Sequence, residues 1–444
     1  MRPPIIRPTP RLPWHEPGPC EGVLAGQASG PLTSRLPALA GIVLCALMAG
    51  LPLVTRGGLS LLILAAGLLW LIWALRTPAG GLGPINGWLL LLLGIAVVAT
   101  GCSPVPVAAF KGLLKLVSYL GVYALMRQLL AEAPQWWNRI VAALLAGQLV
   151  SAVLAIRQLY GDTTELARWA DPNSVADGTI RVYGPLENPN LLAGYLIPIL
   201  PIALVALLRW RSWPQRLFAG CALLLGAVAL FLSYSRGGWL GMLAALGSLA
   251  LLLVLRQTRQ WPPLWRRLFP ALLLVAAVAV LVVAVTQVEP LRIRVLSLVA
   301  GREDSSNNFR INVWLAAIDM IQARPWLGIG PGNTAFNLIY PLYQQPKFNA
   351  LSAYSVPLEL LVEGGVPYLL AALGLLITSL RAGLAQLKGE SPWALPALAA
   401  LAAIAGLGVQ GITDTIFFRP EVQLTGWFCL ASLAVSRPQA GADG

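Results

Sequence analysis

The chain has 444 residues, of which 57% are hydrophobic and only 11% are charged. Soluble domains carry about 25% charged residues, so a chain this apolar could not form an adequate solvated surface in water. The net charge of +13 does not indicate nucleic-acid binding, because the basic residues form short clusters between apolar runs and match no recognised nucleic-acid motif.

The apolar residues come in runs of about 17 to 25, the length that a helix needs to cross a hydrocarbon core. Lipid offers no partners to backbone amides and carbonyls, and these runs are too long for barrel strands, so they predict transmembrane helices. We therefore expect an all-α polytopic membrane protein with about twelve transmembrane helices. The predicted spans are 36–54, 58–75, 84–101, 107–130, 139–158, 189–208, 216–234, 237–255, 268–287, 356–380, 393–412 and 421–436.

The distribution of lysine and arginine predicts the orientation of these spans. If the N-terminus is cytoplasmic, the inner segments carry most of the basic residues, whereas the short outer connections hold only Arg56, Arg236 and Arg419. Both termini are therefore predicted to be cytoplasmic. No cleavable signal peptide is expected, because the first 35 residues lack an apolar core.

The spans divide the chain into five predicted regions. They are a disordered cytoplasmic tail (1–35), N-terminal transmembrane helices (36–158), an acidic outer loop (159–188), a core with a large outer loop at 288–355 (189–380), and C-terminal helices with a tail (381–444).

The large outer loop is predicted to carry an amphipathic helix of about 14 residues. Residues 305–308 offer N-caps for it. The spacing places Ile311, Trp314, Leu315, Ile318 and Ile321 on one face, which suits a helix that lies along a membrane or protein surface.

Two arginines near the ends of elements are candidates for anion binding, because charge at membrane depth is costly. Arg236 lies in the short connection Tyr234–Gly238, where two glycines let an anion approach the backbone. The alternative is an interfacial arginine that reaches water. Arg310 opens the predicted helix, next to amides that favour anions, or is a solvated surface residue.

Acidic residues and lysines supply further candidates. Glu359 and Glu363 are spaced i, i+4 and share one helical face, where they could bind a cation, transfer protons or pair with an arginine of the large loop. Lys115 is predicted to face the bundle interior, one turn below Lys111. Mutual ion pairing is predicted for Asp414, Arg419 and Glu421, and a surface charge cluster for Arg302, Glu303 and Asp304. Together these charges describe a basic outer cavity suited to an anion.

Neither a metal site nor a cofactor is expected. The single histidine, His15, lies in a proline-rich tail. The cysteines show neither metal-ligand spacing nor a disulfide framework: Cys20, Cys45, Cys102, Cys221 and Cys429.

Four segments resemble the O-antigen ligase and polymerase superfamily of Wzy type. They are Asn188–Asn190 at the start of a span, Ser235–Gly238 in a hairpin, Arg310–Trp314 and Arg324–Asn333. The similarity covers residues 185–375, and its Pro-Trp-Leu-Gly-Ile-Gly-Pro-Gly-Asn stretch is fairly specific. The resemblance implies a protein of the bacterial inner membrane with a periplasmic large loop. It also implies that a glycan is joined from a polyprenyl-pyrophosphate donor to an acceptor, as in lipopolysaccharide biosynthesis.

The resemblance also implies roles for individual residues. Arginines hold the pyrophosphate in the superfamily, a role that falls on Arg236 and Arg310 by motif position. The ligases place a His-Asn pair about ten residues before a Glu-x-Gly motif, and counting back from Glu363–Gly365 puts Tyr354 and Ser355 there. Tyr354 is thus the candidate catalytic residue at the family histidine position, although an unperturbed tyrosine is a poor general base at neutral pH.

Further segments resemble the cyanobacterial IctB branch of this superfamily. They are Asn173–Asp177, Gly301–Arg310 and Tyr340–Gln345, and the similarity extends over most of the chain. This resemblance implies a bicarbonate transporter.

Two main functions remain open on the sequence. The first is bicarbonate transport or accumulation through an arginine-lined outer anion site, with Glu359, Glu363, Asp414, Arg419 and Lys115 in support. The alternative is a glycosyltransferase that acts on a polyprenyl-pyrophosphate-linked glycan, with Tyr354 in place of the histidine. The sequence shows no internal repeat, which counts against transport. The expected partners are membrane lipid and either a small anion or a lipid-linked glycan, without nucleic acid; an accessory role in a membrane complex is a third reading.

Overall fold

A computed structural model describes residues 35–77, 83–161, 181–258, 261–287, 292, 301–388 and 391–435. This part of the chain is helical and contains no β-strand. The predicted cytoplasmic tail and most of the predicted acidic outer loop lie outside the described residues. The described α-helices are α1 (Leu36–Gly50), α2 (Arg56–Arg76), α3 (Pro84–Gly101), α4 (Pro106–Glu132), α5 (Trp136–Arg157), α6 (Pro189–Arg209), α7 (Trp213–Leu232), α8 (Arg236–Gln257), α9 (Pro263–Gln287), α10 (Ser305–Ala323), α11 (Asn333–Ile339), α12 (Val356–Leu387), α13 (Ala394–Gly411) and α14 (Pro420–Ala434).

The length and composition of these helices confirm a polytopic membrane protein. Nine helices in the described ranges are long and apolar enough to cross a bilayer, namely α2 to α8, α12 and α13. Helix α1 is apolar but only 15 residues long. The number of twelve spans is therefore not confirmed, although the all-helical architecture is.

Helices α6 and α13 form the buried centre of the bundle. Most of each helix is enclosed by protein, whereas most of the surface of α2, α3 and α4 is left for lipid. Small residues allow α13 to approach α8 closely, because Gly241 on α8 and Gly406 on α13 each face the other's backbone carbonyl. The side chains of Ile197 and Ala245 fill the space around this contact.

Polar side chains cap the N-termini of two of these helices. The Asn188 side chain accepts hydrogen bonds from the amides of Asn190 and Leu191, and proline follows the cap. Ser235 caps α8 by accepting from the Gly238 amide. Both caps lie on the side of the bundle where residues 301–355 are found, which we call the loop side.

Helix α12 is kinked close to its loop-side end. Gly365 has φ 71° and ψ −167°, a conformation outside the helical region that glycine adopts without strain. Pro367 lacks the amide that would otherwise bond to the carbonyl of Glu363. The carbonyls of Val362 and Glu363 are consequently available to partners outside the helix.

The glycine-rich segment, residues 325–332, binds to this kink. The amides of Ile329 and Gly330 donate to the carbonyls of Val362 and Glu363 at 2.8 and 2.9 Å. In the opposite direction, the Val366 amide donates to the Pro325 carbonyl at 2.8 Å. The kink therefore supplies the hydrogen bonds that a segment without secondary structure needs when it is buried.

Helix α4 encloses the other side of the glycine-rich segment. Ser103, in the turn before α4, donates from its hydroxyl to the Ile329 carbonyl at 2.5 Å. Gly112 packs directly on the backbone of Pro331 and Gly332, without room for a β-carbon. The segment is thus held between α4 and α12.

Helix α10 differs from the predicted amphipathic helix in length, cap and buried face. It has 19 residues, and its cap is Asp304, whose carboxylate accepts from the Asn307 amide at 3.0 Å. Residues 305–308 are already helical, so the predicted cap was wrong. The buried face consists of Asn312, Val313, Ala316, Ala317 and Met320. These mostly small residues allow α10 to pack against α12, whereas Leu315 and Ile318 of the predicted face are exposed.

Replacement of Gly328 by alanine should destabilise the protein. Gly328 has φ 59°, and a β-carbon there would meet the backbone of Val362 and Glu363. We expect a loss of about 2 kcal/mol, the order of the strain of such a conformation, measured by thermal unfolding in detergent. Gly247→Ala on α8 is the control, because no atom lies within 4 Å of the added carbon. Equal unfolding temperatures for the two variants would contradict this packing.

Candidate anion-binding site

A buried ion pair joins α8 to the start of α10. The Arg236 guanidinium donates to the Asp304 carboxylate at 2.8 Å, with 10% and 0% of the two side chains exposed. The same carboxylate caps α10. Asp304 is therefore a buried structural anion rather than the predicted member of a surface charge cluster, while Arg302 and Glu303 are exposed.

Arg310 lies on the second turn of α10, not at its start as the sequence suggested. Its side chain runs back along the helix to the Ser306 hydroxyl at 2.8 Å and across to the Thr413 carbonyl at 3.0 Å. Burial lowers the pKa of Arg310, the nearby Arg236 lowers it further, and Asp414 and Asp304 oppose the shift. The two arginines of the predicted anion site therefore lie within electrostatic range of each other.

Asp414 lies in the turn after α13 and faces this arginine cluster. Its carboxylate accepts a hydrogen bond from the Thr415 amide at 2.8 Å. Burial raises the pKa of Asp414, and the charges of Arg310 and Arg181 act against that rise. The predicted mutual ion pairing of Asp414, Arg419 and Glu421 is thus found in part: Arg419 lies 3.8 Å from Glu421, whereas Asp414 interacts with Arg310 and Arg181.

Arg181, in the segment before α6, brings a third guanidinium to the site. It donates to the Ser233 carbonyl at 3.0 Å and to the Asn190 side chain at 2.8 Å. These contacts connect the start of α6 with the α7–α8 hairpin that carries Arg236. Arg181 was not among the predicted site residues, because its position in a long polar loop gave no local signal of proximity to the hairpin.

Tyr354 lies beside Arg310 and Asp414, in the turn that leads into α12. Its backbone has φ 49°, and its carbonyl accepts from the Trp314 indole at 3.2 Å. Its ring packs edge-on against Phe309 at 5.3 Å between centroids. Burial raises the pKa of Tyr354, Asp414 raises it further, and Arg310 lowers it. The phenol is thus protonated at neutral pH, where it can donate a hydrogen bond but cannot accept a proton as a base.

Glu359 and Glu363 hold the turns around the site in place. Glu359 accepts from the Ala353 amide at 2.6 Å, next to Tyr354, and Glu363 accepts from the Gly332 amide at 2.6 Å. Both residues are buried on one face of α12. Within the described ranges, both carboxylates accept hydrogen bonds from backbone amides, and neither pairs with an arginine of the large loop.

Lys115 links this region to the connection between α13 and α14. Its ammonium donates to the Phe418 carbonyl at 2.9 Å, and the charges of Glu363 and Glu421 act on it. Lys115 is partly buried as predicted, while Lys111 is exposed at the loop-side end of α4.

The cluster combines groups from four separate parts of the chain. Three guanidinium groups (Arg181, Arg236 and Arg310) meet two buried carboxylates (Asp304 and Asp414), which leaves an excess of positive charge. Guanidinium groups bind phosphate or carboxylate oxygens through paired hydrogen bonds. This arrangement therefore suits an anion with several oxygen atoms. In the described residues, no group of His, Cys, Asp or Glu could hold a metal ion.

Residues 221–373 match a family model described as O-antigen ligase. The matched region is less than half of the chain. It contains Arg236, the whole of α10, the glycine-rich segment and the kink of α12, whereas Arg181 and Asp414 lie outside it. The match supports the resemblance to the O-antigen ligase superfamily. A comparison with curated proteins gives no match.

Loss of Arg236 should destabilise the fold, because it removes the partner of a fully buried carboxylate. For Arg236→Ala we expect a loss of about 3 kcal/mol, measured by thermal unfolding in detergent. The double variant Arg236→Ala/Asp304→Asn should recover part of that loss. Arg419→Ala is the control, because this arginine side chain is 45% exposed and such pairs contribute about 0–1 kcal/mol. A smaller effect at Arg236 than at Arg419 would contradict the assignment of a buried pair.

Proposed function

We propose that the protein transfers a glycan from a lipid-linked diphosphate donor to an acceptor hydroxyl on the periplasmic side of the bacterial inner membrane. The observation that carries this proposal is the convergence of Arg236 and Arg310 from α8 and α10, within the region that matches O-antigen ligases. In the proposed complex, the diphosphate takes up hydrogen bonds from both guanidinium groups. Phe309 and Trp314 flank the Tyr354 turn beside it.

Asp414 is the best candidate for the general base of this reaction. The acceptor oxygen forms a bond to the anomeric carbon of the donor, and the bond from that carbon to the diphosphate oxygen breaks. The hydroxyl proton passes to the Asp414 carboxylate. The diphosphate leaves with the electron pair, and the arginines stabilise its charge. Tyr354, whose raised pKa keeps the phenol protonated, would serve as a hydrogen-bond donor to substrate.

The second candidate is the transport of bicarbonate. The absence of a histidine at the position of Tyr354 favours it, because a site without the usual base could bind an anion and do no chemistry. The packing beneath the arginines speaks against it. Gly241, Gly406 and Ile197 bring α6, α8 and α13 into direct contact there, with the Gln410 side chain beside them. A single amide would not replace the hydration of a crossing anion.

Conservative replacement of Arg310 should abolish most of the transfer. Lysine keeps the positive charge but loses the paired hydrogen bonds, so we expect Arg310→Lys to lower the rate about 100-fold. The measurement is the envelope polysaccharide of a deletion strain that carries each variant. Arg302→Lys, at an exposed arginine on the same side of the bundle, should restore the polysaccharide like the unchanged chain.

Two results would count against the transferase. One is an envelope polysaccharide that stays the same when the gene is deleted. The other is a flux of labelled bicarbonate into liposomes that contain the purified chain, if the same flux is lost with the Arg236→Ala variant. That result would favour the transporter.

The rate of transfer should fall as the pH falls through the pKa of Asp414. Because burial raises this pKa above that of an ordinary aspartate, the acid limb of the profile should lie at a higher pH than about 3.9. The profile is measured in membrane vesicles with a synthetic isoprenyl-diphosphate sugar as donor. Asp414→Asn should lower the rate by at least about 100-fold and remove the acid limb. An unchanged acid limb in Asp414→Asn would exclude this residue as the base.

A further inference from the structure

The glycine-rich segment lies beside the transmembrane helices rather than above their ends. Gly112 is the seventh residue of α4, so its contact with Pro331 and Gly332 is about 9 Å along the helix from the loop-side end. Gly365, at the kink, is the tenth residue of α12, about 14 Å from the start of that helix. The segment therefore lies alongside α4 and α12, between these two points.

The backbone of the segment is enclosed by protein, as irregular structure inside a membrane must be. Residues 328–331 are buried in protein. Ile329 and Gly330 donate their amides to α12, and Ile329 accepts from Ser103. Irregular backbone occurs within the hydrocarbon region only where protein or a cavity surrounds it.

The exposed side chains around this buried backbone include three large apolar ones, next to the exposed polar residues Asn333, Thr334 and Asn337 of α11. Trp326 is 69% exposed, Leu338 on α11 is 57% exposed and Leu342 is 76% exposed. None of these residues belongs to a transmembrane helix, so their exposure is not explained by a span. A water-exposed loop would lose free energy by presenting three large apolar side chains.

These exposed apolar side chains lie next to the flank of α4 that faces lipid. On that helix Val107, Phe110 and Leu114 are exposed, and α11 packs against the same helix, since Ala335 and Phe336 belong to one buried cluster with Ala108 and Ala109. Lys111 is exposed in the same turn of α4, and lysine and tryptophan are typical of the boundary between headgroups and hydrocarbon. Because these exposed side chains lie next to a transmembrane helix surface, lipid is the molecule expected to cover them.

We infer that residues 325–342 form a re-entrant element whose exposed side chains, Trp326, Leu338 and Leu342, lie in the hydrocarbon of the loop-side leaflet. The element anchors the large loop in the membrane by two contacts. Its buried backbone binds the α12 kink, and its apolar side chains bind lipid chains.

Site-directed spin labelling tests this placement in the full chain. A nitroxide is attached at Leu338→Cys in a chain without its native cysteines, reconstituted in phosphatidylglycerol and phosphatidylethanolamine vesicles. Collision with oxygen, which concentrates in hydrocarbon, is compared with collision with a water-soluble nickel chelate. Phe110→Cys on the lipid-facing flank of α4 and Glu303→Cys at the exposed start of the loop are the matched controls.

The label at 338 should collide more with oxygen than with nickel, as at 110, whereas the label at 303 should show the reverse. A nickel-accessible label at 338 would overturn the inference, and so would a label shielded from both reagents, which would indicate a protein partner or a second copy. If the cysteine-free chain does not fold, a photocrosslinking amino acid replaces Leu338 in the native sequence. A crosslink to lipid acyl chains supports the placement, and a crosslink to protein or to neither contradicts it.

Discussion

Hydrogen bonds between the glycine-rich segment and the kink of α12 hold the large loop against the transmembrane helices. Gly365 and Pro367 interrupt the helix and leave two carbonyls without partners in the helix. These carbonyls accept hydrogen bonds from the Ile329 and Gly330 amides. A loop of this length would otherwise lose its order to conformational entropy. Because one end of the loop is fixed at this kink, α10 can pack against α12 through small side chains and carry Arg310 to the hairpin of Arg236.

The site is assembled at the loop side of a closely packed bundle. Ionisable groups reach it from the segment before α6, from α8, from α10 with its cap, and from the turn after α13, and each carboxylate has an arginine within reach. The charges of the cluster are largely balanced, yet it keeps an excess of positive charge. Beneath it, α6, α8 and α13 are in direct contact through Gly241, Gly406 and Ile197.

The sequence predicts those features that local patterns determine. The Asn188 cap, the Ser235–Gly238 hairpin and the shared face of Glu359 and Glu363 all depend on residues within one turn, and the structure has them. The burial of Asp304 could not be predicted from the sequence, because its partner Arg236 lies 68 residues away in the chain. The prediction of the buried face of α10 was wrong for a related reason. Apolar periodicity identifies the face with the large hydrophobic side chains, whereas close packing against α12 requires small side chains such as alanine. Gly364–Gly365 and Pro367 are typical of a helix kink, so the kink could have been predicted from the sequence. The segment that binds to it could not.

In the proposed complex, the α12 kink holds the large loop so that Arg236 and Arg310 bind one diphosphate together. An electron cryomicroscopy structure of the full chain in lipid nanodiscs with an isoprenyl diphosphate would show whether they do. We expect diphosphate oxygen atoms within hydrogen-bonding distance of both guanidinium groups, with the Ile329 and Gly330 amides still bonded to α12. A diphosphate bound elsewhere, or a loop detached from α12 with the two arginines apart, would contradict this expectation.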